Sequence, residues 1–95
     1  MPADRTFVLE HCHMLEETAR DTRTHMGAEH WRTADAELAL GECLLALRRY
    51  ARAEAPLRHA AAVLAVERQK QPIPAREADA MLRRLYRAWG KRAPS

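Results

Sequence analysis

The sequence is poor in the residues that build sheets and flexible turns. It contains three glycines, one phenylalanine and one isoleucine in 95 residues, whereas alanine, leucine, arginine and glutamate dominate. Because these abundant residues favour helix over sheet, the composition predicts an all-α fold. A chain of this length makes one small domain, and its alanine-rich hydrophobic fraction predicts a thin, closely packed core.

Long apolar runs and cysteine pairs are also missing. No stretch approaches the roughly 18 consecutive apolar residues of a membrane span, and the N-terminus has no apolar signal region. Cys12 and Cys43 form no CxxC pair and give no disulfide framework of the kind that small secreted domains use. We therefore expect two small, buried, reduced cysteines in a cytoplasmic protein without a membrane segment.

Acidic side chains become rare toward the C-terminus. Residues 1–42 carry nine acids and four Lys/Arg, for a net charge of −5, whereas residues 43–95 carry four acids and twelve Lys/Arg, for +8. No acid follows Asp79. Such a basic block can serve an acidic partner or a nucleic acid, or it can simply keep the chain soluble.

Apolar residues spaced by three and four predict four helices. The first spans about 4–26, with Asp4 as its N-cap and Gly27 at its end. The second is capped by Thr33 and runs to about residue 47, and its two apolar stripes predict neighbours on both sides. Gly41 in mid-helix costs about 1 kcal/mol against alanine, which indicates that another backbone passes close by.

The second half of the chain repeats this pattern. A tight turn at 48–51 makes the second and third helices antiparallel, and the prolines near residue 74 end the third. The fourth helix spans about 75–90, where Gly90 stops it, and 91–95 form a tail. A shift of 42 residues superposes the first helix on the third and the second on the fourth. It matches Leu15 to Leu57 and Ala36 to Ala78.

These positions resemble the tetratricopeptide repeat, and the 42-residue period is similar to its longer, kinesin-light-chain-like variety. The C-terminal part resembles the last repeat of arrays in bacterial multidomain proteins such as serine/threonine kinases. On this resemblance, 4–26 is a half repeat, 31–68 a complete repeat and 75–90 a terminal half repeat. The residues that carry it are Leu40, Gly41, Leu44, Tyr50, Ala53, Leu57 and Ala60.

The resemblance implies a non-catalytic protein-binding scaffold of stacked helical hairpins, an α-solenoid, with a protein or peptide partner. Four positions depart from the repeat. Ala28 and Trp31 stand where the entry often has prolines, Arg48 where the turn usually has glycine, and Arg83 where a small residue is expected. Because ligand positions vary in this family, partner contacts are predicted only from the side of the helix on which each residue lies. The predicted partner contacts are Glu37, Glu42, Arg48, Arg83 and Arg87.

Other chemistry finds little support in the sequence. The five histidines lack the tight ligand spacing of a zinc site, so no metal or cofactor is expected. The only serine is Ser95, and no nucleophile motif or Gly-rich phosphate loop occurs, so no enzymatic activity is expected. The alternative is a small basic nucleic-acid-binding or regulatory protein, since Arg83, Arg84 and Arg87 share a helix with two aromatics.

Half repeats at both ends predict uncovered apolar helix faces. About three repeats are normally needed for a stable array. The chain is therefore expected either to form a homodimer or to be a piece of a longer protein. Attraction between the acidic residues 1–42 of one copy and the basic residues 43–95 of another would help the homodimer form.

Overall fold

The computed structural model describes residues 5–91 and contains four helices in that range. They are α1 (Arg5–Met26), α2 (Trp31–Ala46), α3 (Tyr50–Val66) and α4 (Pro72–Trp89). Residues 5–91 form no strand, and the predicted all-α fold is confirmed. The expected N-cap Asp4 and the tail beyond Lys91 lie outside the described residues.

Consecutive helices pack side by side in opposite directions. Arg23 near the end of α1 contacts Glu37 near the start of α2, and Cys12 lies beside Cys43 near the other ends. Each helix packs on the next one, and α2 also contacts α4. Helix α2 therefore lies between α1 on one side and the α3–α4 pair on the other, as its two apolar stripes predict.

The approach of α2 to α3 is closest at Gly41. A Cβ added at this glycine would overlap the side chain of Leu57, which is fully buried. The expectation of a close neighbour is correct, but that neighbour is a leucine side chain and not a backbone. The glycine thus makes room for the branched end of Leu57, which offsets its unfavourable helix propensity.

Left-handed residues end three of the helices. Gly27 and Gly90 have φ angles of 96° and 72°, as expected for glycines just past a helix C-terminus. Arg48 also lies in this region, at φ 60°, where the amide nitrogens of Arg48 and Arg49 donate to the carbonyls of Leu45 and Leu44. This hydrogen-bonding pattern closes α2 in the way a glycine usually does.

Three helix starts differ from the sequence prediction. The N-cap of α2 is His30, whose Nδ1 accepts from the amide of Arg32, and not Thr33. Thr33 lies in the first turn, where its buried hydroxyl donates to the carbonyl of Gly27 at 2.7 Å. Helix α3 begins at Tyr50, within the predicted turn at 48–51, and ends at Val66. Helix α4 begins at Pro72, so the prolines near residue 74 start α4 and do not end α3 as expected.

Cys12 and Cys43 form a disulfide that ties α1 to α2, so the expectation of two reduced cysteines is wrong. They are 31 residues apart in the chain, far beyond the short spacings that identify a cysteine motif. Antiparallel packing nevertheless brings their Cα atoms to 5.6 Å, within the normal range for a disulfide. Both side chains are buried in the core.

Removal of this cross-link should destabilise the domain. A loop of this size restricts the unfolded chain by about 3–4 kcal/mol in the chain-entropy account. We expect the double variant Cys12→Ala/Cys43→Ala to lose about that much unfolding free energy in urea denaturation monitored by circular dichroism. Alkylation of the unfolded chain, purified without reductant, provides a check that does not depend on folding. Modification of both cysteines before reduction would contradict the disulfide.

Candidate helix-binding groove

An open groove of about 620 Å³ runs between α1 and α2 on the side away from α3. Its floor is apolar because the hydrophobic stripe of α1 is wider than the surface that α2 covers. Of the exposed large hydrophobic side chains of α1, Met26 lines this groove, whereas Leu9 and Met14 lie outside it. The residues that line the groove are Leu15, Thr18, Asp21, Thr22, His25, Met26, Trp31, Arg32, Asp35, Ala36 and Ala39.

The rim of this groove carries two acids. Asp21 and Asp35 make no ion pair within residues 5–91. The guanidinium of Arg32 lies 5.3 Å from the centre of the Trp31 ring, in cation–π range. The exposed His25 side chain lies back along its own helix, where Nδ1 is 2.8 Å from the carbonyl oxygen of Asp21. The groove therefore combines an apolar floor with a charged rim, on which two carboxylates and the Arg32 guanidinium lie without direct ion pairs to one another.

The 42-residue repeat gives this groove an internal counterpart between α3 and α4. There Leu57, Ala60, Leu64 and Ala78 are all fully buried. Their equivalents by the repeat shift all line the open groove. These are Leu15, Thr18, Thr22 and Ala36, of which Thr18 is exposed and the others are only half-buried. The difference arises because α2 packs on α3 and α4, whereas no described helix occupies the corresponding place on α1 and α2.

None of the five predicted partner contacts lines this groove. Glu42, Arg83 and Arg87 are exposed on their helices, and Arg48 is exposed in the α2–α3 turn, not on α2 itself. Glu37 is 6% exposed, so its predicted position on an open surface is wrong. It falls on the same helical stripe as Leu38 and Gly41, which was a signal that it faces the interior.

Glu37 instead joins three parts of the fold. Its carboxylate accepts from Arg23 of α1 at 3.1 Å and lies within hydrogen-bond distance of Nδ1 of His59 on α3. Nε2 of His59 lies 3.7 Å from Glu29 in the α1–α2 loop. This network supplies hydrogen-bond partners for a carboxylate that is almost removed from water, which such burial requires.

Neutralisation of Glu37 should therefore cost more than neutralisation of an exposed acid. We expect Glu37→Gln to lower the unfolding free energy by about 1–3 kcal/mol, since the group that contacts Arg23 and His59 is then a neutral amide and no longer a carboxylate. The same change at exposed Glu42, on the same helix, should stay within about 0.5 kcal/mol. Equal losses for the two variants in urea denaturation would contradict a structural role for Glu37.

A second surface lies at the other end of the bundle and is basic. A shallow notch of about 350 Å³ is lined by Arg48, Arg49, Tyr50, Arg52 and Trp89, together with Ala51. Lys91 lies 4.5 Å from the centre of the Trp89 ring. The Trp89 side chain packs against the core, which agrees with its predicted place on the packing stripe of the fourth helix.

Tyr86, the other aromatic of the basic helix, belongs to the core. Its side chain is buried, and its hydroxyl donates to Glu54 on α3 at 2.8 Å. Burial raises the pKa of the Tyr86 phenol, and the hydrogen bond to Glu54 raises it further. The phenol therefore stays neutral at physiological pH and joins α4 to α3, so it offers no stacking surface to a nucleic acid.

Comparison with models of known protein families, with curated proteins and with solved structures finds no match for this chain. Within residues 5–91, no helix is long and apolar enough to cross a membrane. In the same range, no three His, Cys, Asp or Glu side chains come together as a group that could hold a metal ion.

Proposed function

We propose that this chain is a non-catalytic protein-interaction module that binds its partner in the α1–α2 groove. The observation that carries the proposal is the groove itself, because its repeat counterpart between α3 and α4 is filled by a helix of the same chain. An exposed apolar surface with a polar rim is typical of a protein-binding site. The proposed ligand is therefore a helix supplied by a protein partner.

The tetratricopeptide-like organisation is part of this proposal. It is supported by the place of α2 between α1 and the α3–α4 pair, and by the interlocking of Leu57 with Gly41. Stacked hairpins of this kind leave their end faces open for a further helix. Glu42, Arg48, Arg83 and Arg87 stay predicted as additional contacts, since all four are exposed.

Several wider expectations also stay predictions. The module is proposed to lack enzymatic activity and to need no cofactor, and self-association remains an alternative way to cover the groove. The cytoplasmic location is weakened by the disulfide, because such bonds persist mainly in oxidising compartments. The basic notch at Arg48 and Arg49 keeps binding to a nucleic acid as an alternative function.

A large charged side chain in the groove should block partner capture. Ala39 lines the groove, is half-buried and is not among the residues packed against the core, so Ala39→Arg should obstruct the site without unfolding the domain. Ala62 is an exposed alanine on α3 outside the groove, and Ala62→Arg is the matched control. Captured proteins would be compared by quantitative mass spectrometry after nuclease treatment.

We expect the proteins retained by the native chain to fall at least tenfold with Ala39→Arg and to persist with Ala62→Arg. Circular dichroism would confirm that both variants keep their helical content. Equal retention by the two variants would contradict the groove as the binding site. Loss of all captured material after nuclease treatment would favour the nucleic-acid alternative.

A further inference from the structure

The contact of α2 with α3 and α4 shows what the open groove requires of its ligand. The repeat places α1 and α2 in the same relation as α3 and α4, so a bound helix would lie on α1 as α2 lies on α3. At the centre of that contact, Leu57 occupies the space that Gly41 leaves free. Leu15 is the equivalent of Leu57. The ligand helix therefore needs a glycine opposite Leu15, because a Cβ there would overlap Leu15 as it would overlap Leu57 at Gly41.

Charge distinguishes the open groove from its buried counterpart. On the α3 side, the Glu37 carboxylate of α2 lies against His59. The repeat equivalent of His59 is Glu17, which is exposed on α1 one turn before Asp21, at the edge of the groove. The Glu17 carboxylate lies 3.2 Å from Nε2 of His13. Asp21 itself stands where α3 has the buried Val63. A ligand helix would therefore meet carboxylates where α2 meets an imidazole and a valine, and it must carry cations there.

Helix α4 of a second copy does not meet both requirements. By the repeat shift, Arg83 of α4 stands at the position of Gly41, and Asp79 at the position of Glu37. A long arginine side chain would lie where the space for Leu15 is needed, and Asp79 would face the carboxylate of Glu17. The acidic residues 1–42 of one copy and the basic residues 43–95 of another thus attract each other at long range but do not fit at the groove.

We propose that the α1–α2 groove selects a basic amphipathic helix from a different protein, with a small residue at its centre and a cation beside Glu17 and Asp21. This inference rests on the proposed function and adds the chemistry of the partner. The small residue allows close packing on Leu15, and the cation compensates carboxylates that otherwise remain in water. Net charge alone is insufficient, because the small residue must stand at one position of the helix.

The chain supplies its own probe for this inference. A capped peptide with the sequence of residues 32–47 and Cys43→Ala reproduces the helix that fills the α3–α4 counterpart, and it contains no tryptophan or thiol. A second peptide adds Glu37→Lys, and a third adds both Glu37→Lys and Gly41→Leu. Each peptide would be titrated into the ¹⁵N-labelled full chain at low salt, and amide shift changes would give both the affinity and the location of binding.

We expect the Glu37→Lys peptide to shift amides around Leu15, Thr22 and Ala39, and to bind about tenfold more tightly than the peptide that keeps Glu37. Addition of Gly41→Leu should remove most of that binding. In the full chain, Glu17→Gln should abolish the preference for the lysine peptide, whereas Glu10→Gln, an exposed acid on the same helix, should leave it unchanged. Added salt should reduce the preference.

Three results would overturn the inference. Groove binding with equal affinity for the lysine and glutamate peptides would remove the requirement for a basic helix, while leaving the proposed helix-binding function in place. Concentration-dependent groove shifts in the absence of peptide would identify a second copy as the occupant. Absence of any groove shift with all three peptides would reject the α2-like ligand, and the Ala39→Arg comparison would then decide separately whether the groove binds proteins.

Discussion

The contact between Gly41 and Leu57 is the constraint on which the rest of the structure depends. A glycine in mid-helix is unfavourable, but here its missing side chain lets a fully buried leucine of α3 pack against the surface of α2. The opposite face of α2 packs on α1. One helix thereby holds the whole bundle together, with hydrophobic contacts on both of its sides.

Two further interactions reinforce this central helix. Glu37 lies at the junction of α1, α2 and α3, where Arg23 and His59 offset the cost of its burial. The disulfide between Cys12 and Cys43 holds the other end of α1 against α2. Helix α1 needs such attachment, since it packs on a single neighbouring helix and leaves the groove side of its apolar surface uncovered.

The two outermost helices of the bundle, α1 and α4, differ in the polarity of their outer surfaces. On α4, Arg83 and Arg87 occupy the repeat positions of Gly41 and Leu45, so charged side chains replace the apolar packing face. On α1, the corresponding outer surface keeps Leu15, Met14 and Met26 at least partly exposed. A face covered with arginines is stable in water, whereas an apolar face gains free energy when another helix covers it. Val66 of α3 and Ile73 of α4 are also exposed, so the proposal of a binding site at α1 rests on the open groove and not on exposed apolar residues alone.

Local sequence patterns predict much of this fold, because helix periodicity and glycine position are local properties. The four helices, the ends at Gly27 and Gly90, and the close approach at Gly41 all follow from them. The disulfide does not, since it depends on two helices that meet 31 residues apart. The burial of Glu37 is not predicted from its charge, which favours a solvent-exposed position, although its stripe on the helix points inward.

The candidate site depends on a comparison that the sequence alone does not allow. The repeat shift already pairs Leu15 with Leu57, but only the packing reveals that one is fully buried by α2 and the other lies in an open groove. The side of the helix on which a residue lies predicts charged contacts such as Glu42 and Arg87 instead. The apolar surface between two helices is a property of their arrangement, so it could not be read from either helix by itself.

The most direct test of this account compares the solvent exposure of the two equivalent leucines. A soluble paramagnetic gadolinium chelate added to the methyl-labelled chain at low concentration relaxes methyl groups according to their accessibility. The account predicts strong relaxation of the Leu15 methyl groups and little effect on those of Leu57. If the Leu15 methyls were protected as well as those of Leu57, the groove would already be closed and would not be free to receive a partner helix.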